Sequence, residues 1–241
     1  MIGVRNKIIG SITALPCKGN EKPRLWRLKK SKGLVVYYGL KNDGAEKIAK
    51  KLKSKKIAIP LGISIAKTNC LETADTQKGI YDYVESYKIF SDIGDYITIN
   101  ISCPNAYGGL PFTDRESLSR LLTEIGKVKK TKPIFIKMAP DLSDKQLDEI
   151  IEVSQKHEID GFICVNLTKD RENKSIMNKI KDKDLPNMGG ISGKVVEELS
   201  NQLIAKVYKK TNGKAVVIGC GGIFSAEDAY KKIKLGSSLH N

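Results

Sequence analysis

The stretch Tyr96–Asn105, YITINISCPN, decides how this chain is read. Its first half, YITINI, is a nearly continuous apolar run, the pattern of a parallel strand covered by helices. Its second half turns abruptly polar: Cys103 stands between a serine and a proline, with Asn100 and Asn105 on either side. The proline ends the strand and holds Cys103 in an extended or turn conformation. Such a strand belongs either to an open doubly wound sheet or to a barrel whose mouth is assembled from many strand ends.

Five more runs share the character of YITINI: Lys7–Thr13, Lys56–Ile65, Pro133–Ala139, Gly161–Asn166 and Ala215–Cys220. Amphipathic stretches separate them. Helices are expected from Asp43, Gln77, Thr113, Ser143 and Ser225, and one more should end at Gly213 as a C-terminal glycine cap. Thr113 and Glu116 have the spacing of a capping box, and Ser143 reads as an N-cap. Two segments break the alternation. Lys22–Gly39 reads as a β-hairpin insert turning near Lys32 and Gly33, and Lys169–Gly190 as a long polar loop. No GxGxxG follows the first strand, so the dinucleotide fingerprint is missing. Polar and glycine residues gather instead at strand ends: Ser11, Ser64, Asn100 to Asn105, Lys137, Asn166, and Gly221 with Gly222. The expectation is a single α/β domain over residues 1–241, built as a (β/α)8 TIM barrel.

Composition narrows the function. The 241 residues are 40% hydrophobic, enough for one sizeable core, and no run approaches the ~20 apolar residues of a membrane span. The net charge of +15 invites a nucleic-acid reading. The lysines, however, are scattered over helix faces without interleaved aromatics, so a solvated basic surface is favoured. The five cysteines, Cys17, Cys70, Cys103, Cys164 and Cys220, form no CxxC pair, and only two histidines could join them, which argues against a zinc site. Without a secretion signal they read as free thiols in a reducing, cytoplasmic setting. His157 ends a helix and His240 lies in the tail, so a Ser-His-Asp hydrolase has no support.

Three features carry chemistry. Cys103 is either a small buried apolar group or a thiol at the barrel mouth, and the amides beside it suit a planar polar ligand. Lys137 interrupts the apolar run PIFIKMAP, and a lysine there calls for a bound negative charge. GCGGIFSAEDA places two glycines and a helix cap after a strand, a cluster of backbone N–H groups able to cradle phosphate. Together they point to a flavin mononucleotide (FMN) oxidoreductase.

On these residues the chain resembles the dihydroorotate dehydrogenases. The segments that carry the resemblance are Gly10–Leu28, Asn100–Asn105, Ile136–Ile150, Ile159–Glu172, Gly189–Lys194 and Val217–Leu239. Their order is similar to that of the quinone-using, membrane-associated class. The resemblance implies oxidation of dihydroorotate to orotate with FMN, in pyrimidine (UMP) synthesis, with quinone as electron acceptor. It implies Cys103 as the base, although that class normally has serine there, and Lys137 beside the flavin ring. Ser11, Ser64, Asn100, Val165, Gly193 and Gly222 match flavin contacts; Asn100, Asn105, Asn166 and Leu167 match the substrate side. Val36, Ser64 and Leu167 depart from the class pattern, standing where asparagine, asparagine and threonine are usual. By the same resemblance the chain starts at the second barrel strand and stops as the last begins, so it lacks the first strand-helix unit and the end of the last. Location is expected in the cytoplasm, or peripherally on the cytoplasmic face of the inner membrane. Two other readings stay open: an FMN-dependent tRNA-dihydrouridine synthase, and an inactive barrel remnant.

Overall fold

The computed structural model describes residues 7–102 and 112–240, so Cys103 and Asn105 lie outside the described residues. The elements run β1 (Lys7–Ile12), β2 (Leu25–Leu28), β3 (Gly33–Val36), α1 (Ala45–Lys53), β4 (Leu61–Ile65), α2 (Thr76–Phe90), β5 (Tyr96–Asn100) and α3 (Arg115–Gly126). They continue with β6 (Ile134–Met138), α4 (Asp144–Lys156), β7 (Gly161–Cys164), α5 (Lys174–Met177), β8 (Gly190–Gly193), α6 (Glu197–Lys210), β9 (Val216–Gly219), α7 (Ala226–Lys234) and β10 (Leu239–His240).

Seven strands form one parallel sheet in the order β1-β4-β5-β6-β7-β9-β10. Neighbours follow chain order with no reversal. A doubly wound sheet reverses at its switch point; the staves of a barrel do not. Side-chain alternation separates the two faces. Ile97, Ile99, Ile134, Ile136, Met138, Phe162 and Cys164 join the large core shared with the helices. The intervening Tyr96, Phe135, Ile163 and Ile218 form a second cluster, inside the curve of the sheet. There Tyr96 meets Phe135 edge to face, with ring centroids 5.4 Å apart. The same inward rows continue towards the strands' C-terminal ends as Ser11, Ser64, Asn100 and Lys137, where apolar packing gives way to polar groups.

Several boundaries differ from expectation. Lys56–Ile65 contracts to β4, because Lys56 to Pro60 precede the first pairing residue, Leu61. The cap of α3 is Asp114, whose carboxylate accepts from Ser117 N; the Thr113–Glu116 box is not used. Ser143 and Ser225 do cap their helices, each with a complete capping box. At the end of α6, Asn212 turns left-handed (φ 51°) one residue before Gly213, so the reversal starts earlier than glycine placement suggests. The largest difference concerns the hairpin insert and the polar loop. β2 and β3 pair as expected, but β8 adds a third antiparallel strand, Gly33 opposite Gly193 and Val36 opposite Gly190. The loop contributes α5 as well, and Ile176, Ile191, Val195 and Val196 bury against Leu28 and Val35 in a small separate core.

One core lysine has no counterpart in the expectations. Lys232 on α7 is fully buried and donates to Ser200 Oγ at 2.8 Å and Asn201 Oδ1 at 2.9 Å. Desolvation lowers its pKa to about 8, against the opposing pull of Glu197 and Asp228 and of the Cys220 and Cys164 thiols. The unfolded chain then binds the extra proton between about pH 8 and the ordinary lysine value. Stability therefore rises with pH through that window, by about 2 kcal/mol between pH 7.5 and 10 from this group. Urea melts isolate it as a difference between wild type and Lys232→Met, since the buried Cys164 thiol, whose pKa burial raises, acts in the opposite sense over the same range. The change from pH 7.5 to 10 should be about 2 kcal/mol more positive in the wild type than in the variant, and equal changes in the two refute the assignment.

Candidate functional site

At the C-terminal ends of the strands lies a cavity of about 510 Å³, within the range of small-molecule and cofactor sites. The strand ends contribute Ser11, Asn100 and Lys137, and the segment after β7 contributes Asn166 and Leu167. The remaining wall is the chain leaving the small sheet: Val36, then Tyr38 to Asn42. Sequence reading did not identify this second wall, since nothing local in YYGLKN marks it as facing the barrel.

The polar groups are held by one another. Asn100 Nδ2 donates to Ser11 Oγ at 2.7 Å, and Ser11 Oγ lies 2.8 Å from Ser64 Oγ. Tyr83 on α2 donates its buried hydroxyl to the Asn100 carbonyl at 2.7 Å. Ser102 is fully buried; its N–H and hydroxyl both donate to Asn100 Oδ1, at 3.1 and 2.8 Å. Asn166 Nδ2 donates in turn to Ser102 O at 2.6 Å and Ser102 Oγ at 3.0 Å. Asp141 tethers the far side, accepting from Thr168 Oγ1 at 2.6 Å and Lys169 N at 3.2 Å, and its burial raises its pKa. Lys137 has no ion-pair partner among the described residues, nor does Lys41 on the opposite wall, so two ammonium groups are available to an anionic ligand, Lys137 from the strand end and Lys41 from an exposed segment.

Four expected residues among those described stand away from this cavity's lining. Ser64 is buried behind Ser11. Val165 is buried, its N–H bonded to Cys220 O at 2.9 Å. Gly193 (φ 97°) ends β8, where a Cβ would meet Lys32 O at 2.5 Å. Gly222 (φ 77°) presses on the start of α6, its Cβ position 2.4 Å from Glu197 Cβ. The phosphate cradle takes a different form from the one the sequence suggests. The N–H groups of Phe224 and Ser225 are taken by Asp228, which also pairs with Lys194 at 2.7 Å. Among the described residues the N–H groups of Gly221 and Gly222 have no backbone or side-chain acceptor; they lie beside the helix start at Lys194–Val196, whose own Lys194 N–H is bonded to Lys32 O at 2.9 Å. Val36 and Leu167 give the cavity two apolar patches, and Leu167 fills the space above Gly190. His157 is the C-cap of α4, and no helix of the described residues is long and apolar enough to cross a membrane.

A family model for dihydroorotate dehydrogenase matches residues 3–241. The chain is 36% identical to the dihydroorotate dehydrogenase (quinone) of Trichodesmium erythraeum, covering 96% of this chain and 62% of that protein. It is also 36% identical to the enzyme of that name from Christiangramia forsetii, covering 66% of it. Among solved structures, ligand-free DHODH from Eimeria tenella superposes with a TM-score of 0.86 at 28% identity, over 97% of this chain and 70% of that one. Its complex with ferulenol gives a TM-score of 0.84. The chain thus spans about 62% of the length of the first curated relative it matches. With a match over nearly its whole length and the barrel strand order to carry it, the chain belongs to the dihydroorotate dehydrogenase family.

Proposed function

We propose that the protein oxidises dihydroorotate to orotate with FMN as its prosthetic group, in the redox step of pyrimidine synthesis. The single observation that carries the reading is Lys137, without an ion-pair partner among the described residues, lining one cavity with the amides of Asn100 and Asn166 at the mouth of a parallel barrel. The residues fit the cofactor: Ser11 and Asn100 offer a polar wall with Ser64 behind it, Lys137 a positive charge, and the backbone of Gly221 and Gly222 donors for a phosphate. When bound, FMN supplies the hydride acceptor.

The chain's own groups supply the rest. Asn166, with Asn100 and Asn105, would hold the substrate ring, and Leu167 and Val36 would close apolar sides around it. Cys103 would remove the C5 proton as its thiolate, and Lys137 would stabilise the negative charge that develops beside the flavin ring. Quinone is the proposed acceptor, as the names of the relatives suggest for them, and a peripheral membrane location would follow. Purified protein should carry a yellow flavin spectrum that dihydroorotate bleaches anaerobically. Protein that stays colourless and takes up no FMN on titration would overturn the reading.

A further inference from the structure

The amides of Asn100 and Asn166 each have a donor end and an acceptor end, and which end faces the cavity decides what ligand edge fits. Ser102 fixes both. Its N–H and O–H occupy Asn100 Oδ1, which turns Asn100 Nδ2 towards Ser11. Its carbonyl and Oγ receive Asn166 Nδ2. A hydroxyl has one proton and two lone pairs, so giving the proton to Asn100 leaves it an acceptor for Asn166 with no conflict. Asn166 Oδ1 is then the end of that amide left without a bond among the described residues. Asn100 keeps one free Nδ2 proton.

We propose that Ser102 is a positioning residue that sets the hydrogen-bond polarity of the cavity. The cavity offers an acceptor at Asn166 and a donor at Asn100, with the Lys137 cation in the same cavity. The ligand class this selects is an anionic cyclic amide or imide that presents an N–H to Asn166 and a carbonyl oxygen to Asn100. Burial keeps water from satisfying Asn100 in its flipped state, while the half-buried Asn166 is held by its two bonds to Ser102. The amide arrangement stands on geometry; the ligand half rests on the function proposed above.

The test reads the two halves separately. In uniformly 15N-labelled protein without substrate, the side-chain amide protons of Asn166 and Asn100 should be protected from solvent exchange. Ser102→Ala removes the hydroxyl and leaves the backbone N–H and carbonyl bonds in place, so it should loosen the relay and reduce the Asn166 protection at least threefold. Asn42 is the internal control, since it bonds Thr13 Oγ1 at 2.8 Å and Leu40 O at 2.7 Å, and its protection should not change. Ser102→Cys, which keeps the volume and weakens the donor, should lower the protection at least threefold and decides the matter if the alanine variant does not fold. Protection unchanged in whichever variant folds overturns the positioning role. Orotate affinity, read by titration, should fall at least tenfold in the same variants. Affinity unchanged while the amides lose protection overturns the ligand half. Wild-type protein that binds no orotate overturns the ligand half together with the function reading, and the exchange data still decide the relay.

Discussion

Replacing Cys103 by alanine should slow flavin reduction by dihydroorotate about 10²- to 10⁴-fold, the usual contribution of a positioned base, while the flavin stays bound. Stopped-flow absorbance under anaerobic conditions measures the step directly. The wild-type rate should climb with pH as the thiol gives way to thiolate, because only the ionised form can take the C5 proton. Cys103→Ser is the informative companion. A hydroxyl ionises far less readily than a thiol, so the serine variant should keep part of the activity with its pH rise displaced upward. Reduction in Cys103→Ala within tenfold of wild type removes the residue from the base role.

Lys137→Met should lower the same rate about 10²- to 10³-fold, the scale for loss of one preorganised charge from a developing negative centre. Methionine keeps the length and apolar stem of the side chain and deletes the ammonium. Lys137 stands on β6 between Ile136 and Met138, both fully buried, so its strand leaves it little freedom to swing away. Lys137→Arg should recover only part of the loss, since a guanidinium needs more room and spreads its charge over a fork. A rate in Lys137→Met within tenfold of wild type would show that the cation is dispensable.

Strands β4, β5 and β7 were legible because each is buried on both faces, which leaves a run of apolar residues too continuous to miss. Lys137 was legible for the same reason, as a polar residue where the run has no place for one. β8 was not, because GISG has two glycines and a serine in four residues and becomes a strand only when β3 is beside it. The same tertiary dependence hid the wall from Tyr38 to Asn42. Helix capping exposed a finer limit: both Thr113 and Asp114 are good caps, and only the entry angle of the chain selects the second. Ser102 was hidden by its neighbours. In NISCPN the eye goes to the cysteine and the amides, while the serine that orders two of these polar groups looks like a spacer.

The small sheet has a consequence for the order of assembly. Its strands β2 and β3 emerge early in synthesis, but β8 comes more than 150 residues after Gly33, and Asp182 comes 152 and 151 residues after the Lys30 and Ser31 backbone it binds. Tyr37, Tyr38 and Asn42 bond back to Arg24, Asn20 and Cys17 as soon as they appear, whereas Val36 cannot take its final pairing until Gly190 has been made. Such non-local pairing is the slow part of folding a chain. The barrel staves from β4 to β7 can pair with their neighbours as they appear, and the pocket they surround closes last on the side of Val36, Asn166 and Leu167. Ligand-binding competence is in this way a late event of the chain's birth, trailing the appearance of most of its secondary structure.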